Sequence, residues 1–171
     1  MYLGSVIAAN GSDLPDVERR IALANSAFTS LSRVWVDSSL SITLRVNLYT
    51  VRVTSVLLYG CESWRLTTEV KMKLRGFHGS CLGRIYGRTT VEILRGANVP
   101  CIIRLAEKRR RLWLGHILRM PEDRVVKQVF NSCTPNHPPY PPWSLMAGLQ
   151  VTRSEAAEMA RDPVEWLRKI C

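Results

Sequence analysis

Acidic side chains are scarce: in 171 residues, 14 Asp and Glu stand against 24 Lys and Arg, a formal net charge of +10. The only adjacent acidic pair is Glu122-Asp123, which follows Pro121 and reads as the first turn of a short helix, where acids suit the helix dipole. No Asp-Asp pair sits on a strand-turn-strand pattern, and no acidic cluster could seat two Mg²⁺ ions. Cysteines are few and odd in number: five, at 61, 81, 101, 133 and 171, with no CxxC pair. That excludes a disulfide framework and fits a reducing, intracellular compartment, cytoplasmic or nuclear. Long apolar runs are missing too. The uncharged stretch 131–152 carries five of the nine prolines, so it is no spanning helix. Residues 1–10 lack the basic start and the apolar length of a signal peptide. There is no GxSxG, no GxxxxGK[ST] and no GxGxxG after a strand, so neither a serine hydrolase nor a nucleotide-cradling enzyme is indicated, and no small-molecule substrate is expected.

Metal sites are weakly supported. Cys133-x3-His137 is a half-site that Cys101 and His116 could be imagined to complete, and His78-x2-Cys81 is another pair on a helix face. None has a zinc spacing, and buried thiols with a surface histidine is the plainer reading. The expectation is no metal and no cofactor. A zinc module on Cys133 and His137 stays as a rival that metal analysis would test.

What is present is helical periodicity. Apolar residues make up 46%, enough for a core. Residues 2–7 read as a short strand or hairpin arm ending at Asn10-Gly11. Asp13 is a helix-cap candidate with Pro15 in the first turn. Val17, Ile21, Ala24, Phe28, Leu31 and Trp35 then recur at spacings of 4, 3, 4, 3 and 4, one face of an amphipathic helix. Residues 40–59 alternate as a strand would, yet Leu44, Leu48, Val51, Ser55 and Leu58 also make a helix face. The length without Gly or Pro decides for helix, stopped by Gly60. Thr67-Thr68 caps a helix whose apolar face is Val70, Leu74, Phe77, Cys81 and Ile85, ended by Gly87. Thr89-x-x-Glu92 is a capping-box pattern. After Pro100 a helix over 101–118 buries Ile102, Leu105, Leu112 and Ile117, with Trp113 and His116 expected to fix its packing. Pro121 starts a short helix to about Phe130. Residues 131–142 are a stiff Pro-rich linker. Thr152-x-x-Glu155 opens the last region, which Asp162-Pro163 splits into two helices.

The charge is concentrated. Residues 71–130 hold fourteen Lys and Arg against four Asp and Glu, while residues 1–70 and 131–171 are each neutral. Aromatics Phe77, Tyr86 and Trp113 are interleaved. Ten of the fourteen cations are Arg, whose planar fork chelates phosphate. Lys108, Arg109, Arg110 and Arg111 sweep about 300° of a helix, so at least one of them lies near the apolar face. An anionic polymer such as nucleic acid is the indicated partner, with an anionic protein or membrane surface, or a merely solvated basic face, as the alternatives.

Three blocks then become familiar. They are Tyr2-Leu3-Gly4-Ser5 with Arg20-Ile21-Ala22, Leu57-Leu58-Tyr59-Gly60-Cys61-Glu62-Ser63-Trp64, and Arg110-Arg111-Leu112-Trp113-Leu114-Gly115-His116-Ile117-Leu118-Arg119-Met120. With Ala160-Arg161-Asp162-x3-Trp166, they resemble the region after the catalytic core of LINE-type (non-LTR) retrotransposon reverse transcriptases. The resemblance implies a helical thumb that grips the template–primer duplex, followed by a basic tail. It also implies that the palm, its Tyr-x-Asp-Asp motif and its Mg²⁺ ligands lie outside this chain. Pro139-Tyr140-Pro141-Pro142-Trp143 stands where many relatives carry Gly-Arg-Pro, and no Cys/His knuckle is present. Both departures fit a decayed or truncated copy.

The resulting expectation is a mostly α chain with a short N-terminal strand or hairpin. It comprises a thumb-like region 1–66, a basic helical tail 67–130, a Pro-rich linker 131–151 and C-terminal helices 152–171. Alone it is no enzyme, and it binds RNA, DNA or their hybrid without sequence preference and without a membrane. The phosphate-contact candidates are Arg45, Arg52, Lys71, Lys73, Arg104, Lys108, Arg109, Arg110, Arg111 and Arg119. The alternatives are a non-functional translated remnant, or the thumb and tail of an active polymerase if the reading frame extends upstream.

Overall fold

The computed structural model describes residues 4–87, 99, 101–132, 149 and 151–170, the Arg153 side chain excepted. They are mostly helical and fall into two compact units, Met1–Ile103 and Arg104–Cys171. Each unit is described by itself. The division differs from the one read off the charge pattern: the helix after Thr67 belongs to the first unit. The basic block is thereby shared, since each unit carries twelve Lys and Arg and seven Asp and Glu in its sequence, a net +5.

In the first unit, α1 spans Leu14–Ser30 with Pro15 in its first turn. Asp13 stands at the cap position but makes no side-chain cap bond. Its carboxylate accepts instead from Arg65, from the backbone N–H at 2.9 Å and from Nε at 3.2 Å. Val17, Ala24 and Phe28 are buried as the periodicity predicts, but the helix breaks at Leu31. Trp35, the last residue of the predicted face, is buried from a separate short helix, α2 (Ser32–Val36). Its indole N–H donates to the Phe28 carbonyl at 2.7 Å, and its ring stacks on Phe28 at 4.9 Å.

Within residues 40–59 the chain is helical from 42 to 57. The Ser41 hydroxyl accepts from Leu44 N–H and starts α3 (Ile42–Tyr49), which runs through a π-helical turn, Thr50–Thr54, into α4 (Ser55–Leu57). Gly60, at φ 75°, ends it in the left-handed region. The buried line is Tyr49, Val53, Leu57 and Leu58, whereas Leu44 and Val51 of the predicted face are exposed. The π turn fits in one extra residue, so a pattern read at 3.6 residues per turn falls out of step across it, and it is the turn and α4 that pack on α1.

Helix α5 (Thr68–Tyr86) begins where the Thr67 hydroxyl accepts from Val70 N–H and ends at Gly87 with φ 63°. Val70, Leu74, Cys81 and Ile85 are buried as read, joined by His78 and Leu82. His78 Nδ1 lies 2.8 Å from the Tyr49 hydroxyl, inside the core. Burial raises the Tyr49 phenol well above its ordinary range and pushes the Cys81 thiol up to about 12. The predicted N-terminal strand is reduced, among the described residues, to one bridge residue, Ser5. Side chains of α1 hold this segment in place of a ladder of backbone bonds.

In the second unit, α6 (Ile102–Arg119, entering from the first unit), α7 (Val125–Ser132), α8 (Arg153–Met159) and α9 (Pro163–Ile170) supply the elements. Leu114, Ile117, Leu118, Phe130, Leu149, Ala156, Ala160, Trp166 and Ile170 form one core. Leu105 is only half-buried and Leu112 is exposed, which corrects two of the four predicted core positions of α6. The buried face is turned toward Leu114 and Gly115, because the Trp166 ring lies against the Cβ-less position. The Trp166 indole N–H donates to the Arg111 carbonyl at 3.0 Å. Helix α7 begins at Val125 rather than Pro121. Thr152 and Glu155 make the full capping box, and Asp162 Oδ1 accepts from Val164 N–H at 2.8 Å to start α9. The Thr89-x-x-Glu92 pattern, Pro100, Cys133, His137 and most of the Pro-rich linker lie outside the described residues.

Candidate nucleic-acid interface

The family-like blocks at the start of the chain converge on α1. The Gly4 carbonyl accepts from Arg19 Nη1 at 2.6 Å and from Arg20 Nη2 at 2.5 Å. Arg20, only 6% exposed, also lies 4.3 Å over the Tyr59 ring. One turn earlier, buried Asp16 accepts from Val6 N–H through Oδ1 and from the Trp64 indole through Oδ2, each at 2.8 Å. A side chain on Gly60 would come within 3.1 Å of Ser5 Oγ. Gly4, Arg20, Tyr59, Gly60 and Trp64 are therefore the parts of one internal clamp. Their chemistry is structural: every charge is turned inward onto backbone or ring.

The tail blocks meet in the same way. Gly115 of α6 lies under Trp166 of α9, and Arg119 Nη1 donates to the Ala160 carbonyl at 3.1 Å. Lys127 is also spent inside the unit. It is 6% exposed, its ammonium donates to the Leu118 carbonyl at 2.8 Å, and Glu122 lies 3.7 Å away. That ammonium stabilises the negative end of α6.

The remaining cations can meet a ligand. Along α6, Arg104, Lys108, Leu112 and His116 recur every four residues and are all exposed; Arg119, three residues on, is exposed beside them although its Nη1 is held by the Ala160 carbonyl. This stripe is about 22 Å long at 1.5 Å per residue. Glu107 is the sole acid in the helix, so little opposes the positive field along it. Arg109, Arg110 and Arg111 are half-buried, as four consecutive basic residues on one helix require. Trp113 is 40% exposed and His116 is exposed, so neither fills the packing role that its apolar surroundings suggest.

In the first unit the candidates divide. Arg45 Nη1 donates to the carbonyls of Trp35 at 2.8 Å and Ile85 at 3.3 Å, joining α2 to the end of α5. Lys73 pairs with Glu18 at 2.7 Å, and that carboxylate raises its pKa. Lys71 is half-buried, while Arg52 is exposed on the π turn. Arg75, Arg84 and Arg124, outside the candidate set, are also exposed; no spacing rule singles them out. Among the described residues no group of three His, Cys, Asp or Glu could hold a metal ion, and no helix is long and apolar enough to cross a membrane.

No family model matches the chain, and no solved structure matches it. It is similar to an uncharacterized transposon-derived protein of Caenorhabditis elegans, 28% identical over 136 aligned positions. The alignment covers 72% of this chain and 48% of that protein, so the chain spans about half the length of the curated relative it matches. The chain is thus a mostly helical protein, similar over part of its length to one that is transposon-derived.

Proposed function

We propose that this chain is the thumb and C-terminal tail of a LINE-type reverse transcriptase. In this reading it does no chemistry alone and grips RNA, DNA or their hybrid through phosphate contacts. The observation that carries the reading is the outward run Arg104, Lys108 and His116 on α6, left in solvent while Lys127, Arg45 and one nitrogen of Arg119 are committed to carbonyls inside. A supporting point is that the residues of the family-like blocks pack on one another. Polymerase chemistry in the family needs Mg²⁺ on palm carboxylates, and this reading assigns no metal or cofactor to the present chain.

The test is binding of the full chain to a short duplex across salt. If exposed Arg52, Arg104, Lys108 and Arg119 each neutralise one phosphate, log K falls against log salt with a slope of about −3.6. Arg104→Ala with Lys108→Ala lowers that slope by about 1.8 and weakens all sequences alike. A flat salt response would overturn the reading. A second reading, part of a larger polymerase, is favoured by the exposed apolar side chains Ile7, Val36 and Val51 of the first unit. It predicts primer extension when a palm-containing fragment is added, and aggregation of the isolated chain if that surface stays bare.

A further inference from the structure

The corner between α6 and α7 holds an open groove of about 1090 Å³, lined among the described residues by His116, Arg119, Met120, Pro121, Asp123, Arg124, Val125 and Val126. Its composition is unusual for plain surface. Three basic side chains meet one carboxylate at its rim, and its floor is apolar. Val125 and Val126 are 71% and 45% exposed, and Val129, one turn along α7, is 57% exposed. Three valines on one face of an eight-residue helix, left in water, form a patch that calls for an occupant. The charge says which kind. Exposed Arg124, beside Arg119 whose Nη1 is held by the Ala160 carbonyl, suits a phosphate, whereas an uncharged apolar ligand would leave the Arg124 charge unmatched.

We propose that this groove takes one or two nucleotides of single-stranded RNA or DNA, the bases lying on Met120, Val125 and Val126 and the phosphate facing Arg119 and Arg124. A duplex cannot use such a floor, because its base faces are stacked inside, whereas a single strand offers both a flat apolar face and a charged backbone. The inference rests on the reading that the second unit binds nucleic acid. It adds a division of labour: the α6 stripe holds backbone of any kind, and the corner groove selects unpaired strand. Asp123 at the rim disfavours a second phosphate on its side, which limits the site to a short segment.

The experiment compares the full chain with Val125→Ser/Val126→Ser and with Arg104→Ala/Lys108→Ala, titrated with a fluorescent ten-nucleotide single strand and with the matching duplex. Both valines are exposed, so the serine variant should keep its fold, which a thermal melt checks. The serine variant should lose about tenfold on the single strand and less than twofold on the duplex, since only apolar burial is removed. The stripe variant should lose on both ligands. Equal loss on both ligands by the serine variant, or no loss on the single strand, would overturn the groove assignment while leaving the stripe intact. Unchanged binding by the stripe variant would instead count against the proposed function. Binding of an acidic apolar peptide that the serine variant weakens while leaving single-strand binding unchanged would show that the groove takes a protein segment, and would also overturn the assignment.

Discussion

Replacing Gly115 by alanine is the same chemical change as replacing Gly76 by alanine, yet the two should move stability in opposite directions. Both glycines are inside helices, and on propensity alone each change gains about 1 kcal/mol. At Gly76 of α5 nothing lies within 4 Å of the new methyl, so the gain should appear nearly in full. At Gly115 the methyl would come within 2.6 Å of Trp166 Cδ1 and 2.8 Å of Cε2, and closer still to Nε1. The indole must move. Forcing a methyl into a packed core costs about 1–3 kcal/mol. The displaced ring also loses its bond to the Arg111 carbonyl, worth about 1 kcal/mol. Against the propensity gain, the net for Gly115→Ala is a loss of about 2 kcal/mol. Urea unfolding followed by circular dichroism gives both numbers, and hydrogen exchange of α6 amides locates the effect in the second unit. If Gly115→Ala is as stable as the parent, the close seat of Trp166 on α6 is refuted. If Gly76→Ala destabilises, the exposed setting of that glycine is refuted.

Three further outcomes follow from the same geometry. Asp16→Ala strands the Val6 N–H and the Trp64 indole N–H and should cost about 3–5 kcal/mol; a loss below about 1 kcal/mol would contradict the clamp. Alkylation at pH 8, followed by peptide mass mapping, should modify exposed Cys101 quickly and reach Cys61 and Cys81 only on unfolding, because burial holds the Cys81 thiol up at about 12; rapid labelling of Cys81 in the folded chain would show otherwise. The Glu155 carboxyl, held below its ordinary 4.5 by the bonds from the Thr152 N–H and hydroxyl, gives a pH signature. Its folded pKa is depressed, so the capping box contributes fully above the unfolded value and fades as pH falls through the folded one. The stability gap between the parent and Thr152→Ala should therefore shrink on acidification below about pH 4, and a gap that widens would reverse the sign.

Local patterns were legible in the sequence wherever a single helix decides its own boundaries. Thr67, Gly60, Gly87, the Thr152–Glu155 box and the Asp162-Pro163 start all act within a few residues, and all stand where the pattern puts them. Faces were less legible, because a face is chosen by what packs on it. Leu112 looked apolar and so looked buried, but Gly115 is the position that lets Trp166 approach, and the helix turns accordingly. His78 looked like half of a ligand pair and is a hydrogen-bond partner of Tyr49, 29 residues away. The cations show the same limit. Composition counts Lys127 and Arg45 as equal to Arg104, yet the first two are consumed by carbonyls inside the fold. Nothing in the spacing tells an arginine that holds its own backbone from one that is offered to another molecule.

The π turn at Thr50–Thr54 has a consequence for how this sequence can change length. A π turn is an α-helix that has absorbed one additional residue without rotating the segments on either side. Deleting a single residue elsewhere in α3 or α4 would swing everything beyond it by about 100° and pull Tyr49, or Leu57 with its neighbours, out of the core. Deleting exposed Val51 or Arg52 from the turn would leave α3 packed on α5 and α4 packed on α1 as before. The helix thus carries a place where the loss of one residue is silent to packing, and shorter copies of this helix should lack a residue there.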